Sequence, residues 1–183
     1  MTLHADFDQI VIKTDAFVLR PLQKSDQGLI EFYASDARVA KMTSSIPHPL
    51  PPGATEAFIA LANSPDRSED VWAMDGSASG HAEVMGLIGM DRMEDWNKRR
   101  QCEVGYWVAP AFWNAGIASA AVRAVIDANP LSARTVFGSV FQDNPASARV
   151  LTAAGFEYLG DAEAFSVARA AKVPTWTYLH RYG

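Results

Sequence analysis

The sequence predicts a mixed α/β (α+β) fold, a mixed sheet with helices on both faces, on three observations. Strand-patterned and helix-patterned segments alternate in the order β-α-α-β-β-β-α-β-α-β-β, without internal repeats or low-complexity tracts. The apolar period switches from two to near 3.6 at Gly116, immediately after a turn of small residues. The chain has 183 residues, 49% of them hydrophobic, enough for one compact core. A single domain over 1–183 is therefore expected.

The elements follow in order. "AFVLRPL" (16–22) has the aromatic and β-branched content of a strand, and Ser25-Asp26 opens a helix into "LIEFYASD". "SSIPHPLPPGAT" (44–55) carries four of the ten prolines and breaks regular structure, after which Thr55 is positioned to cap a second helix through Phe58, Ile59 and Leu61. "VWAMDG" and "VMGLIGMDRM" read as strands joined by the hairpin loop "GSASGHA". In "CEVGYWVA" strict alternation sets Cys102, Val104, Tyr106 and Val108 on one face and Glu103, Gly105 and Trp107 on the other. "GIASAAVRAVIDANP" is a helix stopped at Asn129-Pro130. "RTVFGSVFQ" is a strand, "NPASARVLTAAGF" a helix closed by Gly155, and "TWTYLHRY" a final strand.

Composition narrows the function classes. Net charge is −5, and the one basic run, Lys98-Arg99-Arg100, is flanked by Glu94, Asp95 and Glu103, which argues against a nucleic-acid surface. The single Cys102 excludes an internal disulfide. No signal-peptide pattern opens the sequence, and no apolar run reaches the ~20 residues of a membrane span, so a cytoplasmic protein without a membrane or nucleic-acid partner is expected. His4, His48, His81 and His180 are scattered without ligand spacing, so no metal site is expected. Trp96, Trp107, Trp113 and Trp176 read first as core, with Trp107 set apart because it shares Glu103's face.

"FWNAGIAS" (112–119) carries the sharpest signal. Asn114 and Gly116 both tolerate left-handed backbone angles, so Asn114-Ala115-Gly116 turns sharply and aims the amides of Ala115 through Ser119 at one point, where the helix dipole adds positive potential. This is a cradle for an anion such as a pyrophosphate.

"CEVGYWVAPAFWNAGIASAAVRAVI" followed by "DNPASARVLTAAGF" resembles the GNAT superfamily of acetyl-CoA-dependent N-acetyltransferases, and more narrowly its RimJ/RimL-like branch, which acetylates protein N-termini and small amines. "EVGYWVAP", "W-x-x-G-x-A" at Trp113–Ala118 and "N-x-x-S…GF" at Asn144–Phe156 carry the likeness, with "FVLRPL" and "SD" at the matching start. The resemblance implies a GNAT-like, mostly antiparallel central sheet of about six to seven strands. It implies acetyl-CoA as cosubstrate, no metal, an amine acceptor and a homodimer, the common assembly of that branch. Cofactor contacts would come from Tyr106, Trp107, Val108, Trp113, Asn114, Ala115, Gly116, Ile117, Ala118, Ser119 and Asn144. The family's loop normally opens with Gln or Arg followed by Gly, where this chain has Trp113 and Asn114. Leu151 stands where many members carry a Tyr that protonates the departing thiolate, and Ser147 matches the Ser cast in that role in the RimJ/RimL-like branch.

An amine attacks a thioester only as the free base, so a carboxylate must collect a proton, directly or through water. Glu103 is the candidate base, set against the plainer reading of an ion pair with Lys98, Arg99 or Arg100. The resemblance places the Val108 N–H at the acetyl carbonyl. It makes the loop 42–55 and the hairpin "FSVARAAKVPTWTY" (165–178) two walls of the acceptor side, with His48, Trp107 and Arg169 as acceptor contacts. Two rival readings are a catalytically silent acyl-CoA-binding regulatory module and a protein-interaction domain without a cofactor. The acceptor, a small molecule or a peptide N-terminus, is not written in these motifs.

Overall fold

A computed structural model describes residues 9–183. The chain runs β1 (Ile12–Lys13), β2 (Val18–Pro21), α1 (Gln27–Ala34), α2 (Ala37–Ala40), α3 (Ala54–Ala62), β3 (Glu69–Asp75), β4 (Gly86–Arg92), α4 (Trp96–Arg99), β5 (Gln101–Val108), α5 (Ile117–Ala128), β6 (Thr135–Phe141), α6 (Pro145–Ala153), β7 (Glu157–Ser166) and β8 (Ala171–Arg181). The strands form one sheet in the order β1-β2-β3-β4-β5-β6-β8-β7. Every pairing is antiparallel except β5 with β6. The sheet has eight strands rather than six or seven, because the two-residue β1 extends the first hairpin.

Helices pack on both faces, as the alternating pattern predicts. On one face Ile30 of α1 and Ile59 and Ala62 of α3 meet Val71, Ala73 and Leu87. On the other, Ala121, Val122, Val125 and Ile126 of α5, with Ala148 and Leu151 of α6, cover Met74, Ile88, Val104 and Val136. Leu151, the residue that stands in place of a tyrosine, is buried. Its two methyls lie 2.8 and 3.3 Å from where a Cβ on Gly138 would be, so it is a packing residue. Thr55 does not cap α3. The cap is Gly53 in the left-handed region at φ 79°, and Thr55 lies buried one residue inside the helix.

The parallel pair positions the site. β5 and β6 are in register only from Gln101↔Thr135 to Glu103↔Phe137. Beyond that row β5 stays with β4 as far as Val108 and β6 stays with β8 as far as Phe141. The sheet therefore splits, and α5 and α6 begin at the open end of the split. Such a crevice beyond the carboxyl ends of parallel strands is where sheets of this kind accept ligands.

Candidate active site

One flank of the split is the end of β5 and the turn after it. Ala109 N–H donates to Met85 O at 2.8 Å. Antiparallel bonding alternates, so residues 107, 105 and 103 share that phase and bond to β4, while Tyr106 and Val108 turn their backbone groups toward the split. The Val108 carbonyl accepts the Trp113 indole N–H at 2.7 Å, which folds the turn back onto the strand. Arg38 of α2 stacks on the same indole, 5.7 Å from its centre.

Asn114 (φ 59°) and Gly116 (φ 73°) are both left-handed, as the turn chemistry predicts. Gly116 caps α5 with no side-chain hydrogen bond, and the first intrahelical bond runs from Ala120 N–H to Gly116 O at 3.0 Å. The amides of Ile117, Ala118 and Ser119 therefore have no acceptor within the helix. A Cβ on Gly116 would meet nothing within 4 Å. Open space, bare donors and the helix dipole fit the phosphates of a nucleotide.

The other flank belongs to β6 and α6. Asn144 caps α6 and Pro145 opens it. The Tyr106 hydroxyl spans the split to Ser147, 2.7 Å from Oγ, and also donates to the Ser147 carbonyl at 3.2 Å. Burial pushes the Tyr106 phenol up to about 12, with the Ser147 bond opposing, so it is a protonated donor at neutral pH. No local sequence pattern announces this pairing, since 41 residues separate the two. Tyr106 from β5 brings a phenol to the serine that Leu151 does not supply.

Glu103 lies on the opposite face of β5, with Gly105 and Trp107. It forms no ion pair with Lys98, Arg99 or Arg100, and Arg100 instead stacks on Trp96 at 4.6 Å. Neighbouring protein raises the Glu103 carboxyl above its ordinary value, the Ser139 hydroxyl opposes this, and the Asp91 charge adds to it. Trp107 packs edge-on to Tyr33 of α1 with ring centres 6.4 Å apart. Glu69 of β3 also stands on this face, and periodicity gave no signal for it.

The loop 42–55 and the tip of the β7–β8 hairpin are tied together. Val167 N–H donates to Ser44 O at 3.0 Å. Arg169 bonds Lys41 O through Nε (2.9 Å) and Nη2 (2.7 Å), pairs with Asp143 at 2.6 and 3.1 Å, and stacks on Phe141 at 4.9 Å. That pairing holds the Asp143 carboxyl below its usual range. The guanidinium thus joins three segments, while His48 is exposed on the same loop. Cys102 is buried on the α5 face and its thiol is pushed up to about 12 by burial, so it is inert. His4 lies outside the described residues. Among those described, no group of three His, Cys, Asp or Glu side chains is placed to hold a metal ion, and no helix is long and apolar enough to cross a membrane.

Residues 17–157 match the family model described as "Acetyltransferase (GNAT) domain". An uncharacterized N-acetyltransferase, YoaA of Bacillus subtilis, is 34% identical over 80 residues, a stretch that spans 43% of this chain and 44% of that curated relative. The fold is shared with a RimL ribosomal L7/L12 alpha-N-protein acetyltransferase solved with coenzyme A (TM-score 0.78, 16% identity, 94% of this chain and 98% of that one). It is shared equally with the ribosomal-protein-S5-alanine acetyltransferase of Vibrio fischeri (TM-score 0.76, 18% identity, 94% and 96%). The microcin C7 self-immunity acetyltransferase MccE, solved with acetyl-CoA and AMP, has a TM-score of 0.77 at 12% identity over 92% of this chain and 94% of its own.

Proposed function

Because this chain belongs to the GNAT acetyltransferase family, we propose that it is an acetyl-CoA-dependent N-acetyltransferase acting on a primary amine, a protein N-terminus or a small molecule, by direct attack within a ternary complex. The observation that carries the reading is the split itself. It has uncapped α5 amides at one flank, the Tyr106–Ser147 bond across it and Glu103 on the face beside it.

The thioester of acetyl-CoA supplies the activated acyl group, and the chain's own residues do the rest. Ala115 through Ser119 hold the pyrophosphate by their backbone, with Trp113 and Asn114 setting the turn and Asn144 lining the far flank. The edge of β5 at Tyr106–Val108 offers strand-like bonds to the pantetheine, and the Val108 N–H is the donor for charge developing on the acetyl oxygen. Glu103 takes a proton from the amine, directly or through water, and Ser147, supported by Tyr106, returns one to the leaving sulfur. Trp107 and His48 contact the acceptor, and Arg169 fixes the wall that carries His48. A single domain and a homodimer complete the proposal, to be read by limited proteolysis and sedimentation.

The test is calorimetry with acetyl-CoA, followed by release of free thiol over a panel of peptide N-termini, polyamines and amino acids. Micromolar binding with amine-dependent thiol release is expected. Binding without turnover on any amine would instead identify a silent acyl-CoA-binding module, and absence of binding would remove the acetyltransferase reading.

A further inference from the structure

On the face that carries Glu103, the sheet register aligns Glu69 of β3, Asp91 of β4 and Glu103 of β5 in one cross-strand row. The next row toward the split is Val71, Gly89 and Gly105, and the one after it Ala73, Leu87 and Trp107. Helices α1 and α3 cover the apolar end of this face, where Leu87, Val71 and Trp107 sit among Ile30, Ile59 and Phe58. The two adjacent glycines leave a floor without side chains, and a Cβ on Gly105 would meet nothing within 4 Å.

Glu69 does not stay in its own row. A Cβ on Gly89 would stand against Glu69 Oε1 and lie 2.9 Å from Cδ and 3.3 Å from Cγ. The side chain therefore lies flat in the notch that Gly89 leaves. Its carboxylate is thereby carried off its own row toward the split. Among the described residues, no hydrogen bond or ion pair holds it there. The sheet thus puts a second, half-buried carboxylate beside the floor on which an acceptor would rest.

The stoichiometry of acetyl transfer gives such a group a role. An alkylammonium sheds one proton before its nitrogen can attack and a second as the N–C bond forms and the C–S bond breaks. The departing sulfur recovers only one, and the other leaves to solvent. Two bases on the acceptor's face account for both losses, and Glu103 is only one.

Resting on the acetyltransferase reading above, we infer that Glu69, laid over Gly89, is a further catalytic residue that binds the acceptor's ammonium and takes its first proton, leaving the second to Glu103. A cationic primary amine is then the acceptor class, and the free base forms inside the site. The protonation state agrees. Burial, then the charges of Asp91, Glu103 and Asp70, push the Glu69 carboxyl up to about 7, a value suited to accepting a proton near neutrality. The helices on this face add no cation. α3 carries only Glu56, which is exposed, and α1 carries Glu31 and Tyr33, the latter against Trp107.

The experiment follows thiol release from acetyl-CoA between pH 5.5 and 9.5. The acceptor is whichever amine of the peptide, polyamine and amino-acid panel gives the wild-type enzyme its highest turnover. Wild-type kcat/KM for the acceptor should rise through a midpoint near 7, because the free enzyme's base must be ionised to take the ammonium. Glu69→Gln should lower kcat at least 10-fold and abolish that midpoint, while Glu103→Gln lowers kcat and keeps a midpoint, moved to lower pH by the loss of a neighbouring negative charge. Gly89→Ala, which evicts the carboxylate from its notch without removing it, should behave like Glu69→Gln. In each variant the acetyl-CoA dissociation constant should stay within twofold, which also reports an intact fold. Glu69→Gln or Gly89→Ala retaining both the midpoint and a rate within twofold of wild type overturns the inference and leaves the acetyltransferase reading standing. A wild-type enzyme that releases no thiol with any amine overturns both.

Discussion

The two sides of the split sheet are built on different principles. The proposed donor side is a contiguous stretch, residues 106–119, and its working groups are mostly backbone: the turned edge of β5, two left-handed residues and three uncapped amides. The proposed acceptor side is assembled from side chains of separate segments, with Glu69 from β3, Glu103 and Trp107 from β5, and a wall in which Arg169 ties the hairpin tip to Lys41 and Asp143. Backbone donors are supplied by any residue that accepts the required angles. Side-chain donors and bases are lost with one substitution. The donor side should therefore tolerate sequence change except where space or φ is at stake, and the acceptor side should not.

The most severe break of this contrast is Gly116→Glu. It forces a side chain into the left-handed position and puts a negative charge where an anion would bind, so acetyl-CoA affinity should fall at least ~10²-fold by calorimetry. Next comes Glu103→Gln, expected to lower kcat about 10²-fold with acetyl-CoA affinity unchanged. A change confined to acceptor KM would reassign Glu103 to binding the amine. Ser147→Ala and Tyr106→Phe each remove one member of the hydrogen bond that spans the split. Each should cost roughly 10-fold in kcat, the size of one donor's contribution, and the double variant should cost little more than either alone if the two act as one unit.

Arg169→Ala should lower acceptor kcat/KM by about 5-fold, since a lost bracket misplaces a wall without removing a reacting group. The acetyl-CoA dissociation constant should hold, and a fall there would show that the bracket serves the donor side through Asp143. The smallest effect is expected from Asn114→Gly. Glycine accepts the same φ of 59° at lower cost, so acetyl-CoA affinity should stay within about 2-fold. A large loss would mean that the Asn114 side chain, not the turn, holds the ligand.

The same contrast explains what was legible in the residues. Alternation in "CEVGYWVA" assigns both faces of β5 correctly, and Asn114 with Gly116 announces the turn, because strand pleat and positive φ are properties of neighbours in the chain. Helices on both faces follow from the alternation of strand-patterned and helix-patterned segments along the chain. Thr55 shows the limit of local reading. Its residue type suits a cap, but Gly53 two positions earlier turns the chain and leaves Thr55 inside α3. Arg169 shows another limit, since nothing near it in sequence announces Lys41 O or Asp143 as its partners.

The sequence by itself determined the family likeness, the elements in order and the backbone cradle, since each is read from short segments whose pattern is set by neighbours in the chain. Tertiary structure alone decided which side chains share the cleft. Tyr106 meets Ser147 only because β5 and β6 part after Glu103. Glu69 lies over Gly89 only because register sets that glycine beside it, with Gly105 next in the row. Registry between strands is fixed by the packing of both faces at once, and no single segment carries that information.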